Sequence, residues 1–169
     1  ELKKWADKPI AGMHRYMPNA GYPETRASVA RYLASQTGLP FTATDVVMTC
    51  GAAGGLNVAL KAIADAGDEV IIFAPYFVEY VYYIDNVQAV PVIVPTDKNF
   101  MPDIKAMEKS ITKKTKAVII NSPNNPTGAV YGGKVLKGIG EVLRKKEAAL
   151  GTEIYLISDD IYRRLTYDG

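Results

Sequence analysis

The sequence has little of several residue types that mark particular functions. It contains one cysteine, Cys50, and one histidine, His14, so it lacks the ligands for a zinc or iron–sulfur site and cannot form an internal disulfide. No apolar run approaches the roughly 20 residues of a membrane span. The charged start, Glu1 to Lys8, is not followed by the apolar core of a signal peptide. We therefore expect a soluble, cytoplasmic protein with no metal and no membrane partner.

An excess of either charge is also lacking. The 169 residues include 20 Lys and Arg and 18 Asp and Glu, a formal net charge of +2. The basic residues do not cluster, so no nucleic-acid partner is expected. With 48% hydrophobic and 22% charged residues, the composition is typical of a globular domain with a sizeable core.

Both ends of the sequence resemble internal positions of a longer chain. It begins without a methionine in a helix-like stretch, Glu1 to Trp5, and it ends soon after a predicted strand. We therefore interpret it as a fragment. Residues 1–22 are predicted to be an N-terminal segment, and residues 23–169 to be part of a larger domain.

Short apolar strands and helices alternate along the sequence. Strands are predicted at 45–50, 69–73, 89–94, 116–121 and 153–158, with helices between them. This order indicates an α/β fold with a mainly parallel sheet, helices on both faces and right-handed crossovers. Pro91 predicts that its strand lies at a sheet edge or contains an irregularity. Because ligands bind beyond the carboxyl ends of such strands, the loops that follow them are the candidate site.

Small residues follow the first predicted strand. Gly51, Ala52, Ala53 and Gly54 are predicted to form a loop before a helix that ends at Gly67. Backbone N–H groups there can approach an anion at the positive end of the helix dipole, which suits a phosphate. Such residues also occur where a turn is merely tightly packed, so the pattern alone leaves both interpretations open.

The sequence Asn-Ser-Pro-Asn-Asn-Pro-Thr-Gly at 121–128 is more specific. Two prolines and a glycine hold a turn that can fix the amide of Asn125 toward the crevice. In isolation the same residues would indicate a surface turn. After a buried strand, the turn resembles that of the class I/II (fold type I) pyridoxal-phosphate aminotransferases, the aspartate aminotransferase superfamily.

A second stretch extends this resemblance. Ser-Asp-Asp-Ile-Tyr at 158–162 follows another apolar strand and is similar to the family motif that contacts pyridoxal 5'-phosphate through Asp159 and Tyr162. Alone, Asp159 would be read as a helix N-cap. A buried carboxylate beside the pyridine nitrogen favours the protonated, electron-withdrawing ring. The resemblance implies that Asn125 and Tyr162 both bind the 3-oxygen of that ring.

The resemblance also implies roles for two other parts of the sequence. Gly51, Ala52 and Ala53 occupy the position of the family's phosphate loop. Phe77 occupies the position of the aromatic residue that stacks on the ring, with an ordinary core aromatic as the alternative. Tyr76 is the candidate for stacking if the register differs by one residue.

Tyr16 precedes the sequence Gly-Tyr-Pro-Glu-Thr-Arg at 21–26. This segment resembles the one whose tyrosine reaches the phosphate of the neighbouring subunit, which implies a homodimer with shared sites. The alternative is a tyrosine packed in a loop before a helix, because no local chemistry distinguishes Tyr16.

The implied activity is transfer of an amino group between an amino acid and a 2-oxo acid. The family binds its cofactor through a Schiff-base lysine one strand beyond the Asp159 position, and the sequence ends before it, so we expect the fragment to be inactive. Lys113 imitates that motif but lies upstream of Asn125 and is expected at the surface. Arg163 and Arg164 do not match the family's substrate-binding arginines, so the sequence does not identify the substrate.

Two alternative functions remain open at this stage. Carbon–sulfur β-lyases use the same loops and differ only in later chemistry. Aminotransferase-like domains also serve as the sensor part of winged-helix transcription regulators. A dinucleotide-binding domain is disfavoured because no Gly-x-Gly-x-x-Gly follows a strand.

Overall fold

Helices and strands alternate along the chain, largely in the predicted order. The computed structural model describes residues 1–8, 11–165 and 167, and its contacts divide the chain into the units Glu1–Cys50 and Gly51–Gly169. The predicted boundary between residues 22 and 23 stays a prediction. The helices are α1 (Leu2–Ala6), α2 (Pro23–Thr37), α3 (Gly51–Ile63), α4 (Tyr80–Asp85), α5 (Ile104–Ser110) and α6 (Gly133–Leu150). The strands are β1 (Glu69–Ala74), β2 (Val90–Pro95), β3 (Thr115–Asn121) and β4 (Tyr155–Asp159).

The first unit contains α1, α2 and a short 3-10 helix, Ala43–Asp45. Helix α2 begins at Pro23, whose fixed φ suits a first helical position, and is capped by Gly38 at a φ of 71°. The predicted strand at 45–50 is wrong, because Asp45 closes the 3-10 helix. The segment after it is extended, but it bonds to a loop and a helix: the N–H of Met48 donates to the carbonyl of Ala20, and Arg26 donates to that of Val46.

The second unit is built on one four-stranded parallel sheet in the order β2-β1-β3-β4. Pro91 pairs with Val70 and lies in the edge strand β2, which confirms the predicted edge position. Proline has no N–H to donate, so an edge strand accommodates it without loss of a ladder bond.

Helices cover both faces of this sheet, as predicted. One face packs against α3 and α4 through alternate residues of the two central strands, namely Val70, Ile72, Ala117 and Ile119. The other packs against α5 and α6 through Ile71, Phe73, Val118 and Ile120. Helix α4 lies on one face and connects β1 to β2, whereas α6 lies on the other face and connects β3 to β4. The two connections run in opposite directions across the sheet, so both crossovers have the same hand. Burial of each large apolar side chain contributes about 1.5–3 kcal/mol.

Helix α3 differs from the prediction at both ends. It begins at Gly51, so the predicted loop from Gly51 to Gly54 is its first turn, and it ends at Ile63, before Gly67. Gly51 has a φ of 72°, a conformation that costs other residues strain but allows glycine to start the turn directly. In the part of the chain that the structure describes, no helix is long and apolar enough to cross a membrane.

Candidate functional site

Several polar residues of the second unit lie together at the carboxyl ends of the parallel strands. Asp159 ends β4 and is 7% exposed. Its Oδ2 accepts a 2.7 Å hydrogen bond from the phenol of Tyr80 on α4. The two ion pairs between described residues involve other carboxylates. Within those residues, Asp159 is therefore a buried carboxylate without a cationic partner, which is costly unless a ligand supplies one.

Tyr80 is a residue of the site that the sequence did not single out. It is 3% exposed, and burial together with its hydrogen bond to Asp159 raises its pKa well above the ordinary value of 10. The phenol therefore keeps its proton and acts as a donor to the carboxylate. One feature of the sequence could have indicated Tyr80: it follows Phe77 by three residues, the spacing that places side chains on one face of a helix.

Asn121 connects the turn after β3 to the end of β4. It is 3% exposed; its Nδ2 donates to the backbone carbonyl of Asp159 at 2.8 Å, and its Oδ1 accepts from the N–H of Asn125 at 2.7 Å. Asn124 stabilises the same turn, because its Oδ1 accepts bonds from the N–H and the hydroxyl of Thr127. These hydrogen bonds from two buried amides hold the turn in one conformation.

The turn brings Asn125 to Tyr162. The side-chain amide of Asn125 donates a long, 3.4 Å hydrogen bond to the Tyr162 hydroxyl. Both line a cavity of about 340 Å³ together with turn residues and two residues after Tyr162, namely Pro123, Asn124, Pro126, Gly128, Leu165 and Tyr167. Because the bond is long, a ligand oxygen between these polar groups can replace it without a large cost.

A second cavity, of about 390 Å³, joins Asp159 to the start of α3. Ala52 in the first turn of α3 contributes to its wall, and Gly51, Ala52 and Ala53 are all exposed. The first N–H groups of a helix have no partner within the helix, and the dipole is positive there. The predicted phosphate loop and the predicted carboxylate therefore border one space, whereas Asn125 and Tyr162 border the other cavity.

The remaining predicted residues lie as follows. Phe77 is half-buried and packs edge-on against Tyr80, with ring centroids 5.7 Å apart. Tyr76 is also half-buried and packs against the same core, so exposure does not distinguish the two. Tyr16 belongs to the first unit and is fully exposed. Lys113 is exposed and precedes β3, so it lies at the amino ends of the strands. Asp159 lies at the carboxyl ends.

A third cavity of the second unit offers less chemistry. A cavity of about 470 Å³ outside α3 and α4 is lined by Lys61 as its single charged residue. Among the described residues, no group of three His, Cys, Asp or Glu side chains could hold a metal ion. The polar cluster around Asp159 is therefore the candidate site.

Comparisons with known proteins identify the family to which the chain belongs. A family model described as "Aminotransferase class I and II" matches residues 4–169. The chain is 42% identical over 160 residues to a probable aspartate/prephenate aminotransferase of Thermus aquaticus, covering 94% of this chain and 40% of that protein. It is 38% identical to the aspartate/prephenate aminotransferase of Thermus thermophilus, covering 99% of this chain and 43% of that protein.

Solved structures show the same similarity. An amino transferase from Eubacterium rectale superposes with a TM-score of 0.91 at 40% identity, covering 99% of this chain and 43% of that one. The aspartate aminotransferase from Thermus thermophilus with maleate gives a TM-score of 0.85 at 38% identity, covering 94% and 41%. The chain thus spans less than half the length of these relatives.

Proposed function

Because the chain belongs to the class I and II aminotransferase family, we propose that the protein that carries it, here called the complete protein, is a pyridoxal-phosphate-dependent aminotransferase. It transfers an amino group between an amino acid and a 2-oxo acid. The curated relatives are named aspartate or aspartate/prephenate aminotransferases, so aspartate is the amino donor to test first.

The observation that carries the proposal is the buried carboxylate of Asp159 without a cation among the described residues. A protonated pyridine nitrogen is a cation, and it would compensate the charge that burial leaves unpaired. The first turn of α3 borders the same cavity and suits the phosphate group of the same molecule. The residues present therefore fit pyridoxal 5'-phosphate.

Each predicted site residue has a role in this proposal. Gly51, Ala52 and Ala53 bind the phosphate through backbone N–H groups, which need no side-chain hydroxyl. Phe77 packs against one face of the ring. Its edge-on contact with Tyr80 supports this role, because Tyr80 in turn contacts Asp159.

Asn125 and Tyr162 orient the ring through its 3-oxygen. The hydrogen bond between their side chains is 3.4 Å long. The 3-oxygen of the ring would replace this weak contact by accepting one hydrogen bond from the amide and one from the phenol. When bound, the cofactor acts as the electron sink that makes the α-proton of the amino acid removable. Asp159 holds the proton at the ring nitrogen on which that property depends.

The partners of the complete protein are also proposals. Its substrates are an amino acid and a 2-oxo acid, it is cytoplasmic, and it forms a homodimer in which Tyr16 reaches the phosphate in the neighbouring subunit. Full exposure of Tyr16 leaves its hydroxyl accessible to a second subunit, as this role requires.

The test is amino transfer by the complete protein with added pyridoxal 5'-phosphate. We expect aspartate and 2-oxoglutarate to yield oxaloacetate and glutamate in equal amounts. Release of ammonia with a 2-oxo acid, without a new amino acid, would indicate β-lyase chemistry instead. Cofactor binding without turnover of any amino acid would indicate a sensor domain.

A further inference from the structure

Tyr80 and Asp159 make a contact that lies outside the roles assigned above. The phenol donates to Oδ2 at 2.7 Å in a buried environment, between residues 79 positions apart. Such a contact requires α4 to be packed on its face of the sheet, so it exists only in the folded protein. Hydrogen bonds to a carboxylate are among the stronger ones in proteins, particularly away from water.

The ring of Tyr80 packs against two other aromatic rings. Phe77 packs edge-on against it at 5.7 Å with an interplanar angle of 83°, and Tyr83 lies 6.4 Å away at 56°. Edge-to-face contacts are favourable aromatic geometries. The donor oxygen of Tyr80 therefore has a defined position relative to the sheet.

The contact with Tyr80 involves one of the two carboxylate oxygens of Asp159. Among the described residues, the recorded side-chain hydrogen bond of Asp159 uses Oδ2, while its backbone carbonyl accepts from Asn121. Oδ1 is therefore the oxygen that a bound ring nitrogen would meet. A carboxylate with one oxygen fixed cannot rotate without losing that bond, and hydrogen-bond strength falls steeply away from linear geometry.

We propose that Tyr80 is a positioning residue that holds Oδ2 of Asp159, so that Oδ1 receives the pyridine N–H of pyridoxal 5'-phosphate. This inference rests on the proposed cofactor function. It predicts that the phenol contributes to cofactor binding only through the ring nitrogen.

The test replaces the phenol and the ring nitrogen separately in the complete protein. Dissociation constants are measured by absorbance titration for pyridoxal 5'-phosphate and for its analogue with C–H in place of the ring nitrogen. Tyr80→Phe is expected to weaken pyridoxal 5'-phosphate about tenfold, because one hydrogen bond to a charged group is lost. Binding of the analogue is expected to change less than about twofold, as for independent groups.

Tyr83→Phe is the matched control. Tyr83 is a buried tyrosine of the same helix, but its hydroxyl donates to Glu79 instead of Asp159. We expect the ratio of the two dissociation constants in this variant to equal that of the parent protein. A merely structural effect of removing a buried hydroxyl would alter both variants, and both ligands, alike.

The outcomes separate the inference from the function on which it rests. Equal weakening of both ligands by Tyr80→Phe, or no weakening of either, overturns the positioning role while the cofactor function stands. If the parent protein binds neither ligand, the proposed function itself fails, and the inference fails with it.

A second comparison tests the same route without the cofactor analogue. In an Asp159→Asn background the charged acceptor is absent, so adding Tyr80→Phe should leave the affinity for pyridoxal 5'-phosphate unchanged. A further loss of about tenfold in the double variant would show that Tyr80 acts by another route, and would overturn the proposal.

Discussion

Asn121, the last residue of β3, donates a side-chain hydrogen bond of 2.8 Å to the backbone carbonyl of Asp159, the last residue of β4. The two residues are also register partners in the parallel sheet. These contacts hold the turn that carries Asn125 next to the strand that carries the carboxylate. Protein groups alone therefore set the distance between the turn and the strand.

Asn121→Ala tests this connection. The substitution leaves the N–H of Asn125 and the carbonyl of Asp159 without their partner, so the free energy of unfolding should fall by about 2–4 kcal/mol. Urea denaturation followed by circular dichroism measures it. Exposed Asn99 provides the control, since Asn99→Ala should change stability by less than about 0.5 kcal/mol. An equal, small effect of both substitutions would mean that the buried amide contributes little.

Asp159→Asn tests the carboxylate. An amide cannot compensate the positive charge of the ring, and a charge pair about 4 Å apart is worth about 4 kcal/mol near a protein surface. We therefore expect the half-reaction with aspartate to slow by about 10²–10³-fold in the complete protein. Stopped-flow absorbance measures the rate. Exposed Asp85 is the control, and a comparable loss in Asp85→Asn would contradict a specific role for Asp159.

Gly51→Ala tests the start of α3. A Cβ at Gly51 would meet no atom within 4 Å, but its φ of 72° is left-handed, so strain alone should lower the free energy of unfolding by about 1–2 kcal/mol. Gly133 is matched, because a Cβ there also meets open space and its φ is ordinary. Gly133→Ala at the start of α6 should be neutral or slightly stabilising. Thermal unfolding of both variants provides the comparison.

The alkaline stability of the fold should depend on Tyr83. Burial and its hydrogen bond to Glu79 raise the pKa of Tyr83 from 10 to about 12. The folded chain thus holds this proton more tightly than the unfolded chain, so the contribution is fully present below pH 10 and is lost as the pH rises toward 12. Tyr83→Phe should flatten the fall in unfolding free energy between pH 10 and pH 11. Identical pH profiles for variant and parent would refute the assignment.

The 169-residue chain by itself should not transaminate. Lys113, which imitates the family's lysine motif in sequence, is exposed at the amino end of β3, away from the edge that carries Asp159. Among the described residues, no lysine lines the cavity beside Asp159, so the imine that moves the substrate proton should not form there. Mixing the chain with pyridoxal 5'-phosphate and aspartate, and following the half-reaction, checks this. Appreciable turnover would refute it.

Much of the fold could be predicted from local patterns. The apolar runs of β1 and β3, the helix from Gly133 to Leu150 and the proline of the edge strand each have a local signature, and the parallel sheet follows from their order. The strand predicted at 45–50 was wrong because a strand also needs a partner, and the apolar run carries no information about one. Asp45 instead closes a turn of 3-10 helix.

By itself, the sequence determined the residue types of the candidate site, because Asn125, Asp159 and Tyr162 belong to stretches whose spacing is recognisable. The tertiary structure alone decided which side chains meet. Tyr80 lies 79 residues from Asp159 and reaches it only because α4 packs against one face of the sheet. A buried contact between distant residues depends on packing geometry, and local spacing does not encode it.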